Sequence, residues 1–204
     1  MGETAMRRTQ GERTARTRAA LITAARRLFG AEGFAEVGDE RVAREAGMTR
    51  GALYHQFDGK AGLFAAVLDQ VEAEIAERVA DAVAGLDPAD TTGMLVAGAA
   101  AWLDASTDPD LQRIVLQDGP SVLGWDRWRE ICLRHTVGLI APLLQDGIDR
   151  GSLPPQPVQA LTHVLVGAVD EAALYIAQAD DAAAARADMD LVLHRLTLAL
   201  AAPA

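Results

Sequence analysis

Apolar side chains recur every three to four residues along most of the chain, which is the spacing of helices that bury one face. Alanine and leucine, both good helix formers, are abundant, whereas aromatic residues make up only 4% of the chain. No segment alternates β-branched or aromatic residues with polar ones in the convincing manner of a strand. The pattern therefore predicts an all-α fold.

The first part of the chain is predicted to form a small three-helix head followed by a long helix. The predicted helices cover residues 14–30, 39–46, 49–57 and 60–85. Gly30 and Gly33 are expected to end the first helix, and Asp39 and Thr49 are expected to cap the second and third. The fourth helix is too long to serve the head alone, so we expect it to join the head to the rest of the chain.

The remainder of the chain is predicted to be a helical bundle. Proline and glycine punctuate periodic segments over residues 91–105, 109–118, 126–150, 156–179 and 182–201, with the Gly119-Pro120 pair ending the second of these. We expect two domains, residues 1–68 as the head, with 1–12 disordered, and residues 69–204 as the body.

Charge is distributed unevenly between these two parts. The chain of 204 residues has a formal net charge of -10, but residues 1–60 hold 11 Lys/Arg and 8 Asp/Glu, a balance of +3. The remaining residues carry a balance of -13. A basic head on an acidic body favours an anionic partner at the head. On charge alone, a solvated and disordered start explains the arginines equally well.

Cysteine content and hydropathy bear on the compartment. Cys132 is the single cysteine, so an intrachain disulfide is impossible, as suits the reducing cytoplasm. The arginine-rich start is unlike a secretory signal peptide. Residues 161–176 are apolar but interrupted by His163, Asp170 and Glu171, so we interpret them as a buried interface helix and expect no membrane partner.

The most informative segment runs from Gly33 to Phe64. Two short helices joined at Gly47 and Met48 match a helix-turn-helix, in which the second helix projects from a compact base. The projecting helix carries hydrogen-bonding groups on its outer side: Thr49, Arg50, Gly51, Tyr54, His55 and Gln56. Lys60 begins the next helix, where an ammonium and backbone amides can together bind a phosphate.

This segment resembles the DNA-binding half of the tetracycline-repressor family, over about residues 14–68. The matching elements are Leu28-Phe29, Gly33-Phe34, Val42-Ala43, Ala46-Gly47, the run Thr49 to Phe57, Lys60, and Leu63-Phe64. The resemblance implies a homodimeric transcriptional regulator with a helical, ligand-binding C-terminal half. It implies binding to a palindromic DNA operator, most simply as a repressor released by a small molecule.

Site roles follow from the resemblance, residue by residue. Thr49, Arg50, Tyr54 and Lys60 would contact phosphates or base edges, Gly51 would allow close approach to DNA, and Arg50 and His55 would read bases. Arginine suits the acceptor edge of guanine, so Arg50 is the main candidate for specificity. Arg18 and Arg44 complete the predicted DNA-binding set.

Each of these residues also has a plainer interpretation. Tyr54 taken alone reads as a half-buried helix aromatic, and His55 as a solvated surface residue. Arg44, with Arg41, could simply offset Glu40 and Glu45 on an exposed face.

One departure from the family pattern precedes the second helix. Val37 and Gly38 occupy positions where the family usually has two hydroxyl residues. Asp39 can replace the lost cap but repels phosphate, so we expect somewhat weaker non-specific DNA binding.

The last two predicted helices, residues 156–179 and 182–201, are apolar on more than one side. A helix of this kind usually has more than one neighbour, so we predict that the homodimer forms through them. Burial within a single subunit is the alternative.

A ligand cavity is predicted around the three tryptophans. The candidate ligand-binding residues are Met94, Trp102, Leu116, Gln117, Trp125, Trp128, Cys132, His135 and Asp170. Tryptophans that merely fill the core are the alternative. Asp170 and Glu171 could orient a cationic or hydroxylated ligand, or pair across the dimer with Arg195 or Arg134.

No catalytic or metal-ligand pattern stands out, so we expect neither an enzyme nor a metal or other cofactor. Two rival functions stay open at this point. One is a small-molecule binding or carrier protein without DNA binding. The other is an enzyme that uses His135 or His163 with a nearby carboxylate.

Overall fold

A computed structural model describes residues 10–201, which form ten α-helices and no strand. The all-α prediction is confirmed. The helices are α1 (Gln10–Glu32), α2 (Asp39–Glu45), α3 (Arg50–Phe57), α4 (Lys60–Val83), α5 (Thr91–Ala105), α6 (Pro109–Gln112), α7 (Gly119–Leu123), α8 (Trp125–Asp149), α9 (Val158–Gln178) and α10 (Ala182–Leu200). A π-helical turn, Arg113–Asp118, joins α6 to α7.

The head is a small core of α1, α2 and α3 closed by the first turns of α4. Leu28 of α1 and Leu53 of α3 are fully buried. The rings of Phe29, Phe34 and Phe64 pack against one another with centroids 5.3 to 5.6 Å apart. This aromatic cluster fixes the loop after α1 against α4, so the short helices α2 and α3 rest on a rigid base.

Helix α1 begins earlier than predicted. It starts at Gln10, so the predicted disorder of residues 10–12 is wrong, and residues 1–9 of that prediction lie outside the described residues. Glu12 in the first turn interacts favourably with the positive end of the helix dipole, which helps to explain the additional turn.

The other end of α1 also differs from the prediction. Gly30 lies inside the helix and is buried, where a Cβ would come within 2.8 Å of the Asp110 side chain. Gly33, with φ of +86°, marks the turn that follows the helix. Gly30 therefore serves close packing between head and body rather than helix termination.

Helix α4 belongs to the head and to the body. Leu63 and Phe64, near its start, are buried in the head, while Val71 and Ile75 are buried further along. The helix packs against α1 and α3 at one end and against α5 and α8 along the rest. The predicted connecting helix is therefore confirmed.

The start of α4 lies very close to the end of α3. A Cβ at position 62 would lie 1.7 Å from the carbonyl oxygen of Phe57, so Gly62 is required by this contact. The close approach fixes the direction in which α3 leaves the head.

The segment predicted as one helix over 109–118 is irregular and continues beyond Gly119. Helix α6 passes into the π turn and then into α7, so the predicted break at Gly119-Pro120 is wrong. Pro120 lies in the first turn of α7, inside this continuous helical segment.

The π turn is bonded to the head. The Arg113 guanidinium donates to the carbonyl oxygens of Gly30, at 3.0 Å, and Ala31, at 2.6 Å. The backbone N–H of Phe34 donates to the Asp118 carboxylate at 2.8 Å. Two ionisable side chains of one turn therefore hold the end of α1 and the loop that leads to α2.

The last two helices leave an apolar surface. Helix α9 packs against α8 and α10, and α10 also packs against α5. Large apolar side chains that are about half exposed or more on α9 and α10 are Val164, Tyr175, Leu191, Val192, Leu196 and Leu198. We refer to these six residues as the α9–α10 face. Helix α9 also has the length and apolar composition of a membrane span, although it carries Asp170 and Glu171.

Candidate nucleic-acid interface and ligand cavity

Helices α2 and α3 are joined by a tight turn. Gly47 has φ of +66°, a left-handed conformation that glycine adopts without steric cost. The Met48 N–H donates to the carbonyl oxygen of Ala43 at 2.8 Å. The Thr49 hydroxyl accepts from the Ala52 N–H at 3.2 Å, so the predicted cap of α3 is confirmed.

Helix α3 has one buried side and one exposed polar side. Leu53 and Phe57 are buried against the head, with 0% and 7% exposure. The predicted outer residues Thr49, Arg50, Gly51, Tyr54 and His55 are all exposed. The structure therefore brings the core of the predicted DNA-binding set together on one accessible surface.

Asp39 does not cap α2, which corrects the sequence prediction. Gly38 occupies the N-cap position, and no side chain caps the helix. The Asp39 carboxylate instead accepts a hydrogen bond from the Tyr54 hydroxyl at 2.6 Å. Tyr54 is thus held by its hydroxyl while 46% of the residue stays exposed. No sequence signal links these two residues, because they lie on different helices.

Arg50 lies in the same network. Its guanidinium donates to the Tyr54 hydroxyl at 3.5 Å, and its Nε is 4.0 Å from the Asp39 carboxylate. The hydrogen bond with Tyr54, together with the nearby carboxylates of Asp39 and Glu40, raises the pKa of Arg50 above its ordinary value. Arg50 is therefore a fully charged, exposed cation that weak contacts orient along α3.

Lys60 makes internal contacts. Its ammonium donates to the carbonyl oxygens of Phe34 and Val37, each at 2.8 Å, and lies 4.0 Å from the centre of the Phe34 ring. These bonds tie the loop before α2 to the first turn of α4. A phosphate contact by Lys60 stays a prediction.

The two remaining candidates, Arg18 and Arg44, are exposed. Arg18 donates to the carbonyl oxygen of Gln56 at 3.3 Å and stacks on the ring of Phe57 at 4.3 Å, which places it beside the end of α3. Neighbouring Arg41 pairs with Glu32 rather than with Glu40 or Glu45. DNA contacts by Arg18 and Arg44 stay predictions.

The body contains an apolar cavity of about 210 Å³ between α4, α5, α8, α9 and α10. For comparison, an engineered cavity of about 150 Å³ admits benzene. Apolar side chains form most of the wall, including Ile75, Val79, Val83, Leu95, Leu139, Leu143, Leu165, Val169, Leu193 and Leu196. Asp170 is the one ionisable side chain among the described residues that line it.

Of the nine predicted ligand-binding residues, three line this cavity: Met94, Trp102 and Asp170. The prediction that all three tryptophans surround one cavity is wrong. The Trp128 indole is buried elsewhere and donates to the carbonyl oxygen of Val115 at 2.8 Å, while Trp125 is 65% exposed.

The other four predicted residues also lie outside the cavity. Leu116 and Cys132 are buried in the packed core, and Gln117 is exposed. His135 bonds to the carboxylate of Asp69 on α4 at 3.0 Å. These four residues are close to the tryptophans in the sequence. They lie in the π turn and in the part of α8 before Thr136, which do not line the cavity.

A buried polar group adjoins the cavity at Asp170. The Asp170 carboxylate accepts from the Arg129 guanidinium at 2.6 Å, so Arg129 of the same chain, rather than Arg134 or Arg195, is its partner. Glu72 of α4 is 2% exposed, and its Oε1 has no hydrogen-bond partner among the described residues. The Cys132 thiol lies beside the Glu72 carboxyl.

Burial controls the protonation of this group. It raises the pKa of Glu72 to about 7, against the opposing effect of the Cys132 thiol, and it raises the pKa of Asp170 to about 6, against the opposing effect of Arg129. Burial likewise raises the pKa of Cys132 far above its ordinary value, which makes this thiol unreactive. Glu72 and Arg129 were not predicted from the sequence, because charged residues in helical segments usually lie on the exposed side of the helix.

The other candidate sites for chemistry are groups of metal ligands and histidine–carboxylate pairs. Among residues 10–201, no three His, Cys, Asp or Glu side chains are grouped so as to hold a metal ion. His135 does face a carboxylate, but Arg134 shares Asp69 at 2.8 Å, and the set lies outside the cavity. His163 is exposed on α9.

Two family models match the chain. "Bacterial regulatory proteins, tetR family" matches residues 21–67, and "Tetracyclin repressor-like, C-terminal domain" matches residues 92–200, which is more than half of the chain. The chain belongs to the tetracycline-repressor family. The resemblance seen in the sequence is thereby confirmed, and so is the function of ligand-responsive transcriptional regulation at the level of the family.

Solved structures agree with this assignment. The TetR-family chain is 33% identical to a TetR-family transcriptional regulator from Pectobacterium atrosepticum, with a TM-score of 0.80 over 96% of this chain and 99% of the other. RolR in complex with its ligand resorcinol superposes with a TM-score of 0.76 over 94% and 90% of the two chains. At 20% identity, the likeness to RolR shows the fold alone.

A curated relative matches a shorter stretch. The HTH-type transcriptional regulator TtgR of Pseudomonas putida is 39% identical over 90 residues, which are 44% of this chain and 42% of TtgR. This relative of the TetR-family protein is thus a transcriptional regulator by name.

Proposed function

We propose that this protein is a cytoplasmic, homodimeric repressor that binds a palindromic operator through α3 and is released when a small molecule occupies the body cavity. The observation that carries the proposal is the exposed polar side of α3, set on a buried helical base. No membrane, metal or other cofactor enters the proposal.

In the DNA complex, the α3 helices of the two subunits lie in successive major grooves, about 34–36 Å apart. Arg50 reads a guanine edge, with His55 as a second base contact. Thr49 and Tyr54 contact phosphates or base edges, and Gly51 permits close approach. Further phosphate contacts come from Arg18, Arg44 and the start of α4 at Lys60.

The α9–α10 face forms the homodimer in this proposal. Its six half-exposed apolar side chains lie on the segments predicted for this role, residues 156–179 and 182–201. Exposed apolar side chains on two packed helices cost free energy in water, and pairing with a second copy would cover those that do not border the cavity, as Leu196 does. Two-fold pairing also supplies the two recognition helices that a palindromic site requires.

Signal transmission follows from the continuity of α4. Ile75 and Val79 line the cavity on the same helix whose start closes the core of the head. A ligand that binds one arrangement of α4 more tightly shifts the population toward that arrangement. The bonds from Arg113 and Asp118 to the head provide a second connection, through the π turn.

The test begins with selection of bound sequences from random DNA, followed by fluorescence anisotropy on the selected duplex. Arg50→Ala and Tyr54→Ala should weaken specific binding by about 1–3 kcal/mol each, which is the usual cost of a lost base contact. Arg78→Ala, an exposed arginine of α4 in the body, is the matched control and should bind as the wild type does. Unchanged binding by the α3 variants refutes the recognition assignment.

A further inference from the structure

The cavity has an acidic end on the side nearer the head. Asp170 of α9 lines the cavity directly. Glu72 lies one helical turn before the lining residue Ile75 on α4, and Cys132 lies one turn before the lining residue Thr136 on α8. Because α4 runs from the head into the body, the turn that carries Glu72 is closer to the head than the residues of α4 that line the cavity.

Carboxyl groups outnumber cationic groups at this end of the cavity. The two carboxyls of Glu72 and Asp170 face a single guanidinium, that of Arg129. Arg129 is already used, since its Nη1 bonds to Asp170 at 2.6 Å and its Nη2 bonds to the carbonyl oxygen of His163 at 3.3 Å. Glu72 is left buried, with one oxygen that accepts no hydrogen bond from the described residues. A buried carboxyl in this position gains free energy from a cationic partner.

We infer that the ligand of the cavity is a small apolar molecule with one protonated amine, bound with its ammonium at the Asp170 carboxyl, which lies close to the buried Glu72 carboxyl. This inference rests on the proposed function, in which the cavity is the effector site. The apolar part of the ligand lies among the aliphatic side chains of the wall, which also includes Trp102. The cavity of about 210 Å³ suits a single ring with a short chain.

Anionic and neutral ligands fit this end of the cavity less well. A ligand carboxylate would place a further acidic group beside Asp170 and Glu72, and Arg129 already bonds to Asp170 and to the carbonyl oxygen of His163. An alcohol can donate one hydrogen bond but supplies no positive charge to the carboxyls. The amine alone supplies both the donors and the opposite charge.

The experiment compares three probes of one size on the full-length wild-type protein at neutral pH. These are 2-phenylethylamine, 2-phenylethanol and phenylacetate, titrated by calorimetry and by tryptophan fluorescence, to which Trp102 reports from the cavity wall. The amine should bind about tenfold or more tightly than the alcohol, as a charge-assisted hydrogen bond in place of a neutral one predicts. Phenylacetate should bind most weakly.

Isosteric variants show which carboxyls are responsible for the preference for the amine. Asp170→Asn and Glu72→Gln should each reduce the affinity for the amine toward that for the alcohol, while binding of the alcohol changes little. Asp69→Asn is the matched control, because this carboxylate of α4 bonds to Arg134 and His135 outside the cavity. Circular dichroism of each variant verifies that it is folded. The comparison of the three probes on the wild-type protein does not depend on the variants.

The inference is overturned if the alcohol or phenylacetate binds as tightly as the amine, if both variants keep the amine preference, or if none of the probes binds. The same probes are then added to the protein on its selected DNA duplex. Release by the alcohol as readily as by the amine removes the amine inference and leaves the proposed function standing. Tight and selective amine binding without any release removes effector-controlled DNA binding and leaves the ligand class standing.

Discussion

The Tyr54 hydroxyl donates a hydrogen bond to the Asp39 carboxylate at 2.6 Å, which joins the first turn of α2 to the exposed side of α3. The pair places a negative charge within 4.0 Å of the Arg50 Nε on the proposed DNA surface. An acidic residue there opposes phosphate while it orients two polar side chains of the recognition helix. The Asp39 carboxylate therefore lowers the affinity for DNA in general and raises the specificity of binding.

Asp39→Asn should strengthen non-specific DNA binding and reduce the ratio of specific to non-specific affinity. Removal of the carboxylate lessens repulsion of phosphates, and it also weakens the bond that fixes Tyr54. Anisotropy on the selected duplex and on a scrambled duplex, each over a range of salt concentrations, measures both effects. Glu77→Gln, which removes an exposed carboxylate from α4, controls for net charge. An unchanged ratio contradicts the positioning role of Asp39.

Thr49→Ala should destabilise the fold by about 1 kcal/mol, the usual cost of a lost N-cap. The Ala52 N–H donates to the Thr49 hydroxyl at 3.2 Å and to the Thr49 carbonyl oxygen at 3.0 Å, so the substitution removes the hydroxyl acceptor alone. Urea denaturation measures the change in unfolding free energy. Thr49→Ser keeps the capping oxygen and should retain most of the wild-type stability. Equal losses in the two variants would mean that the cap is not the cause.

Glu72→Gln should flatten the dependence of stability on pH between about 4.5 and 7. Burial raises the pKa of Glu72 from 4.5 to about 7, so the folded protein binds more protons than the unfolded chain over this interval. The unfolding free energy of the wild type therefore falls as the pH rises, by up to about 1.4 kcal/mol per pH unit from this one carboxyl.

Urea denaturation at several pH values tests this prediction. The groups that act on Glu72 are Cys132 and Arg129 of α8, Asp170 of α9 and Asp69 of α4, and the raised pKa of Asp170 gives a slope of the same sign. Glu77→Gln should keep the wild-type slope. Identical slopes for wild type and Glu72→Gln would count against a raised pKa at this residue.

Leu198→Arg should convert the dimer to a monomer and weaken operator binding. Leu198 is 50% exposed on α10, and a guanidinium placed at the centre of an apolar interface lacks a partner. Sedimentation equilibrium gives the oligomeric state. Leu86→Arg is the matched control, because Leu86 is a 40% exposed leucine in the loop after α4. If Leu198→Arg remains a dimer, the dimer interface does not involve Leu198.

The sequence was sufficient for the head because the signals there are local. A left-handed glycine at Gly47, a capping hydroxyl at Thr49 and the alternation of buried Leu53 with exposed Tyr54 all lie within one short segment. Element order in the body was also predictable, since proline and glycine interrupt the apolar periodicity. The two-domain division at residue 68 stays a prediction.

The cavity and its acidic end could not be located from the sequence. An apolar stripe such as Ile75, Val79 and Val83 looks the same whether it faces a neighbouring helix or an empty space. The partnership of Asp170 with Arg129, 41 residues apart, depends on how α8 and α9 cross. The π turn escaped prediction because no residue type distinguishes it from an ordinary helical turn.

Helix α4 has a practical consequence for engineering. A cut at residue 68 would fall within α4, between Phe64, which is buried in the head, and Val71 and Ile75, which are buried further along. Chimeric sensors that graft this head onto another ligand-binding module should therefore carry α4 whole and be spliced in the loop that follows Val83. This splice leaves Arg113 behind, so the new module would have to supply a donor for the carbonyl oxygens of Gly30 and Ala31.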